Sequence, residues 1–137
     1  MESIRSFFDR DRYAALTGAR VVEVRQGYAR AEMEIGERHL NGVDIAQGGA
    51  IFTLADLAFA AAANSHGTVA VAVNASISFL AAVAGGRLVA EAREEALSNR
   101  FSTCAVRVTD EKGDLVALFN GTAYRKKETL AEAARKP

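Results

Sequence analysis

The stretch NGVDIAQGGAIFTLADLAFAAAAN, residues 41–64, decides how the rest of the chain must fold. It opens on an Asn41-Gly42 turn signal and reaches a glycine pair at Gly48-Gly49. It then runs through 50–63 with Thr53 and Asp56 as its polar side chains. Those 14 residues are too few for a bilayer span, which takes ~20, and an acid at the centre of a span is costly. The run reads instead as a soluble core helix, closed by Asn64-Ser65-His66-Gly67. A helix apolar on every side has to be enclosed by other elements.

The flanks supply the enclosure. Upstream, Ile4, Phe7, Phe8 and Ala15 recur near helical spacing and predict one amphipathic helix over 3–16, stopped by Gly18. Residues 21–25 and 28–35 predict two strands turning at Gln26-Gly27. In the second, Ala29, Ala31, Met33 and Ile35 alternate with charged residues. Residues 36–49 read as a loop. Downstream, strands are predicted near 68–80, 86–97, 101–110 and 115–125, parted by Gly85-Gly86, Ser98-Asn99 and 111–114. Residues 126–137 read as a polar, weakly helical tail. The order helix, two strands, helix, four strands predicts an α+β domain whose antiparallel sheet curls round the apolar helix.

Composition narrows the function classes. The 137 residues make one domain, 1–137, with no repeat or linker. Seventeen basic side chains balance seventeen acidic ones, so no net field favours nucleic acid or an anionic membrane. Cys104 is the single cysteine, which excludes an intrachain disulfide and a cysteine zinc cluster. Two histidines, His39 and His66, leave little for a metal site, so no metal is expected. The first 18 residues hold no apolar signal core, and a reduced cytoplasmic domain is the expectation. Charge is unevenly placed: over the 42 residues 45–86, Asp56 is the one formally charged side chain.

Within 41–64 the residues Asn41, Gly48, Gly49, Phe52, Leu54, Ala55, Asp56, Ala58 and Phe59 form a pattern. It resembles that of the hotdog-fold acyl-CoA thioesterases of the phenylacetate-degradation (PaaI) type. Similarity of strand pattern extends over roughly 10–125. Three positions depart. Gln47 stands where the family has His. A serine or threonine often found on the next strand has no clear counterpart, with Asn74 and Ser76 nearby. Ala81-Ala82 replaces a basic residue followed by proline. The resemblance implies a hotdog fold, thioester hydrolysis, and a dimer that pairs further into a dimer of dimers.

The chemistry can be read beside it. Glycines at a helix entrance expose backbone N–H groups, and the helix dipole favours negative charge there. A thioester carbonyl gains such charge as it becomes tetrahedral, which gives the Gly48 N–H an oxyanion-hole role, with Gly49 keeping the approach open. A tight loop-to-helix turn would need the same two glycines. Asp56 has Phe52, Thr53, Phe59 and Ala60 as helical neighbours, none able to neutralise it. It is the candidate base or nucleophile, its pKa raised by desolvation and lowered by the helix end; a backbone hydrogen bond across an interface is the structural alternative. Asn41 and Gln47 offer amides to the carbonyl or the attacking water, or serve as loop hydrogen bonds. Gln47 is neither acid nor base, so Asp56 would carry all proton transfer.

Gly48 and Asp56 lie about 12 Å apart along a helix, too far to serve one carbonyl. Two antiparallel copies of the helix can bring Gly48 of one to Asp56 of the other, which predicts an obligate homodimer. Phe52, Phe59 and Phe79 suggest an apolar pocket. Asn74 is a substrate-binding candidate by its place near the acid, and Arg125, with Arg100, Lys126 and Lys127, by its charge toward CoA phosphates, a merely solvated basic face being the favoured alternative for that run. Cys104 is expected to pack in the core, His39 to sit in a solvated loop and His66 to end the helix. The expected function is hydrolysis of an aryl- or aliphatic acyl-CoA, with CoA as part of the substrate and no separate cofactor. A non-catalytic acyl-CoA-binding module and a hotdog dehydratase or hydratase remain as alternatives.

Overall fold

A computed structural model describes residues 2–136. Helices α1 (Glu2–Phe8) and α2 (Arg12–Thr17) precede strands β1 (Arg20–Arg25) and β2 (Tyr28–Ile35). A loop holding one 3-10 turn (Glu37–His39) leads to the long helix α3 (Gly48–Ala63). Strands β3 (Thr68–Phe79), β4 (Gly86–Leu97), β5 (Phe101–Thr109) and β6 (Leu115–Thr129) follow, then a short α4 (Leu130–Ala134). The strands form one antiparallel sheet in the order β1-β2-β4-β5-β6-β3.

Small side chains let helix and sheet approach closely. Ala29 and Ala31 on β2, Ala90 and Ala92 on β4, and Ala55, Ala58, Ala61 and Ala62 on α3 are all fully buried. Phe59, Phe119, Met33, Leu54 and Leu88 fill the space between them. Gly121 is the tightest fit. A Cβ there would lie 2.8 Å from the ring of Phe59, itself 1% exposed and packed against Phe119 at 5.7 Å between centroids. The end of α3 is tied down by Asn64, whose amide donates to Ala60 O and Ala70 O and whose Oδ1 accepts from Ala70 N–H. Cys104 packs in the core, as expected, and burial pushes its thiol up to about 11.

Three local expectations are corrected. The single helix over 3–16 is two helices, because Asp11 accepts the Ala14 N–H at 3.0 Å and caps a second start. Gly18, at φ 86°, ends that second helix. The strand expected to end at 125 runs on as β6 to Thr129, while the helix expected in the tail is present as α4, with Leu130 buried at its head and a Thr129–Glu132 capping box at its start. Nor does the sheet enclose α3 on every side. Gly49, Phe52, Thr53, Asp56 and Ala60 recur at helical spacing and form a face the chain leaves partly open.

The two sheet edges differ. β1 carries Arg20, Glu23 and Arg25, the last two paired at 2.9 Å. β3 is the opposite edge, 12 residues long without a charge, with Val71 and Val73 exposed. Among the described residues no helix is long and apolar enough to cross a membrane.

The Gly121–Phe59 contact yields a test. Gly121→Ala should lower stability by ~1–3 kcal/mol, the scale of overpacking, in urea denaturation. Adding Phe59→Leu should make the loss clearly smaller than the sum of the two single losses.

Candidate functional site

The start of α3 is built by the loop before it. Ala46 donates to Val83 O at 2.7 Å and Gln47 to His39 O at 2.8 Å, so the chain reaches the helix already anchored. Asn41 holds the loop: its Oδ1 accepts from Val43 and Ile45 N–H groups at 3.0 and 3.3 Å. Asp44 takes the left-handed region at φ 62° within that turn. His39 is corrected from a solvated residue to a buried one, 5% exposed. Its Nδ1 accepts from Gly36 N–H at 2.9 Å, so Nε2 carries the proton and donates to Thr17 O at 2.6 Å. The imidazole thus ties the end of α2 to the loop that feeds α3.

Gln47 occupies the N-cap with extended backbone at ψ 138°, and its Oε1 accepts the Gly49 N–H. This cap needs Gly49, since a Cβ there would lie 2.6 Å from Gln47 Oε1. The Ala50 N–H goes to Gln47 O at 2.9 Å. The Gly48 N–H finds no acceptor among the described residues, so one donor of the first turn stays open. Beside it lies a cavity of about 360 Å³, lined by Asn41, Ile45, Ala46, Gly48, Ile51 and the segment 79–82. The structure therefore brings Asn41, Gly48 and Phe79 to one cavity, while Gln47 and Gly49 flank Gly48 along the chain and do not line it.

Asp56 stands on the open face of α3, half-buried, with no hydrogen bond or ion pair among the described residues. Burial holds its pKa above the usual aspartate value, and the carboxylate of Asp11 adds to the shift. Asp11 gave no signal in sequence, because its position as the cap of α2 becomes apparent only in the folded helix pair. Phe52 shares the open face and meets Phe119 edge-on at 5.3 Å. Eight residues separate Gly48 from Asp56, about 12 Å along the axis, so one chain does not bring both to a single point.

Asn74 is not near the acid. It pairs with Thr122, whose neighbours Gly121 and Ala123 face α3, so Asn74 lies on the outer face of the sheet. A register shift at Val73, between Ala72 and Asn74, sets this parity, and alternation in the sequence did not reveal it. Arg125 lies at the far end of β3, opposite Ala70, and donates to Ser98 O at 2.7 Å. With Thr68, Arg100, Tyr124, Lys126 and Lys127 it lines a cationic cleft of about 650 Å³. His66 lies in the turn just after the end of α3 and pairs with Glu94 at 2.9 Å.

An antiparallel sheet curled over one long helix is an α+β hotdog fold. The family model described as Thioesterase superfamily matches residues 45–117. A putative esterase of Archaeoglobus fulgidus is 42% identical over 93% of this chain and 84% of its own. The acyl-coenzyme A thioesterase PaaI of Escherichia coli is 31% identical over 90% of this chain and 89% of its own. The solved structure of E. coli PaaI superposes with a TM-score of 0.89, covering 93% and 94% of the two chains. A Streptococcus mutans protein solved bound to acetyl CoA is 26% identical, with a TM-score of 0.76 over 80% and 89%. The chain belongs to the thioesterase superfamily, in its PaaI-type hotdog branch, and is a thioester hydrolase by class.

The raised pKa of Asp56 has a consequence for stability. The folded chain holds that proton to higher pH than the unfolded chain, so stability falls as pH rises through the folded pKa. Asp56→Asn should therefore raise Tm near neutral pH, and the gain should vanish below the ordinary aspartate range. Thermal melts of both proteins across pH 3–8 read the difference directly.

Proposed function

We propose that the chain hydrolyses an acyl-CoA thioester to a free acid and CoA, at a site shared by two copies of itself. One observation carries the reading: Asp56, the one charged group of 45–86, stands half-buried on the open face of α3 with no partner among the described residues. A carboxylate so placed costs stability, and acids held in such environments cluster at functional sites. The acyl-CoA class is supported by the name of the E. coli relative and by the acetyl CoA bound to the S. mutans one. CoA enters as part of the substrate, and the reading invokes no further cofactor.

Asp56 acts in one of two ways. As a general base it takes a proton from water while the water oxygen attacks the carbonyl; the tetrahedral intermediate then collapses and expels CoA thiolate. As a nucleophile its carboxylate attacks directly, thiolate leaves, and water opens the mixed anhydride. Either route places negative charge on the carbonyl oxygen, where the open Gly48 N–H donates to it. Gln47 offers its amide nitrogen to the substrate, while its oxygen caps the helix.

Two copies are needed because of the 12 Å gap, and β3 offers the means. An uncharged 12-residue edge invites another strand. Two such edges related by a two-fold axis run antiparallel and set the α3 helices side by side. Gly48 of one copy then approaches Asp56 of the other. The same pairing lays the Phe79 end of one β3 beside the Thr68 end of the other, so the thioester site lies near the other copy's cationic cleft. Arg100, Arg125, Lys126 and Lys127 there suit the CoA phosphates. Two dimers pairing into a tetramer complete the assembly.

Four measurements test this. Light scattering at micromolar concentration should exclude a 14.6 kDa monomer; finding one would remove the shared site. Asp56→Asn should cut thiol release at least ~10²-fold while acyl-CoA binding persists. Equal rates would make Asp56 structural, and binding with no wild-type hydrolysis would favour the binding module. Gly48 is the first residue of α3, where proline is tolerated, and Gln47 already has the backbone that precedes proline. Gly48→Pro should therefore remove the N–H with the helix intact and lower kcat ~10²–10³-fold relative to Gly48→Ala. Mixing Gly48→Pro with Asp56→Asn subunits should restore part of the activity, since each mixed dimer keeps one intact site.

A further inference from the structure

A thioester carbonyl has two substituents, and the proposed site accounts for only one of them. The sulfur side leads toward the cationic cleft. The acyl side needs its own space within reach of the Gly48 N–H. Phe79 stands at that space. It is the last residue of β3, half exposed, and its ring atoms lie 3.0, 3.3 and 3.4 Å from where a Cβ on Gly48 would be. Its backbone is held by pairing with Ala117 and by the Leu80 N–H donated to Val116 O at 2.8 Å, so movement is left to the side chain. The ring lines the 360 Å³ cavity together with Ile45, Ala46, Ile51, Leu80 and Ala81. That size is at the lower end of small-molecule pockets, roughly 300–1,000 Å³.

We propose that this cavity holds the acyl group and that the Phe79 ring is its gate, setting the largest acyl chain the enzyme accepts. The proposal rests on the thioesterase reading above for the identity of the ligand. The ring packs beside Gly48 and lines the same cavity, so an acyl group that brings its carbonyl to the Gly48 N–H has to fit alongside the ring. A long chain must displace the ring or stay outside. Gly48 is itself required by this arrangement, because any side chain there would press on the ring.

The test uses acetyl-, hexanoyl- and palmitoyl-CoA with the wild-type protein, Phe79→Ala and Phe79→Trp. Phe79→Ala should raise the palmitoyl-to-acetyl ratio of kcat/KM at least ~10-fold, within the range a few methylenes are worth in an apolar pocket. Phe79→Trp should shift the ratio the other way. The same three ligands are titrated calorimetrically into each Phe79 variant carrying Asp56→Asn, which reads chain-length preference without turnover. A changed ratio in binding supports the gate even if no variant hydrolyses anything, so failure of the enzyme reading is separable. A uniform loss across all three acyl lengths, or an unchanged ratio in both variants, would overturn it. Circular dichroism confirms folding, and Phe79→Trp serves if Phe79→Ala loosens the edge strand.

Discussion

α3 has more apolar surface than one sheet can cover, and the rest of the molecule follows from that excess. The sheet curls to bury Leu54, Ala55, Ala58, Phe59, Ala61 and Ala62, and alanines on β2 and β4 let it come close. What the sheet cannot reach is the face of Gly49, Phe52, Thr53, Asp56 and Ala60. A charge on that face would be neutralised by solvent if the face were broad and polar. Here it stands among Phe52, Thr53 and Ala60, with Asp11 adding a second negative charge rather than a counterion. The helix thus makes the core on one side and holds an unstable carboxylate on the other, which joins packing to chemistry in one element.

Much of this was legible in the sequence. The strands and α3 were readable because their periods are strong: alternation in 28–35, unbroken apolarity in 50–63, glycine punctuation between them. The pattern from Asn41 to Phe59 carried the fold family as well as the acid. The misreadings share a cause. One helix over 3–16 looked continuous because periodicity does not register a cap, and Asp11 caps within it. Asn74 seemed close to the acid because a register shift turns a strand over without changing its composition. His39 looked solvated because its partners, Thr17 O and Gly36 N–H, are backbone groups that no side-chain pattern records.

Gln47 shows how one residue can meet a structural demand at a chemical position. An N-cap wants a short oxygen acceptor, usually Ser, Thr, Asn or Asp. The longer glutamine still reaches, because Gly49 leaves room for its Oε1. In satisfying the Gly49 N–H it leaves the Gly48 N–H as the first-turn donor without an acceptor among the described residues. The cap therefore selects which donor of the first turn remains available. The two glycines are not equivalent: Gly49 makes the cap possible, and Gly48 presents the donor and admits Phe79.

The unequal edges of the sheet bear on how far assembly can go. β1 is guarded by Arg20, Glu23 and Arg25, whereas β3 is bare. In the proposed pairing the two bare edges consume each other, and the joined sheet ends in a charged β1 at both sides. Strand addition would then have a built-in stop. Charged edges resist a further strand, so growth by this route closes at two chains and does not run on into a fibre.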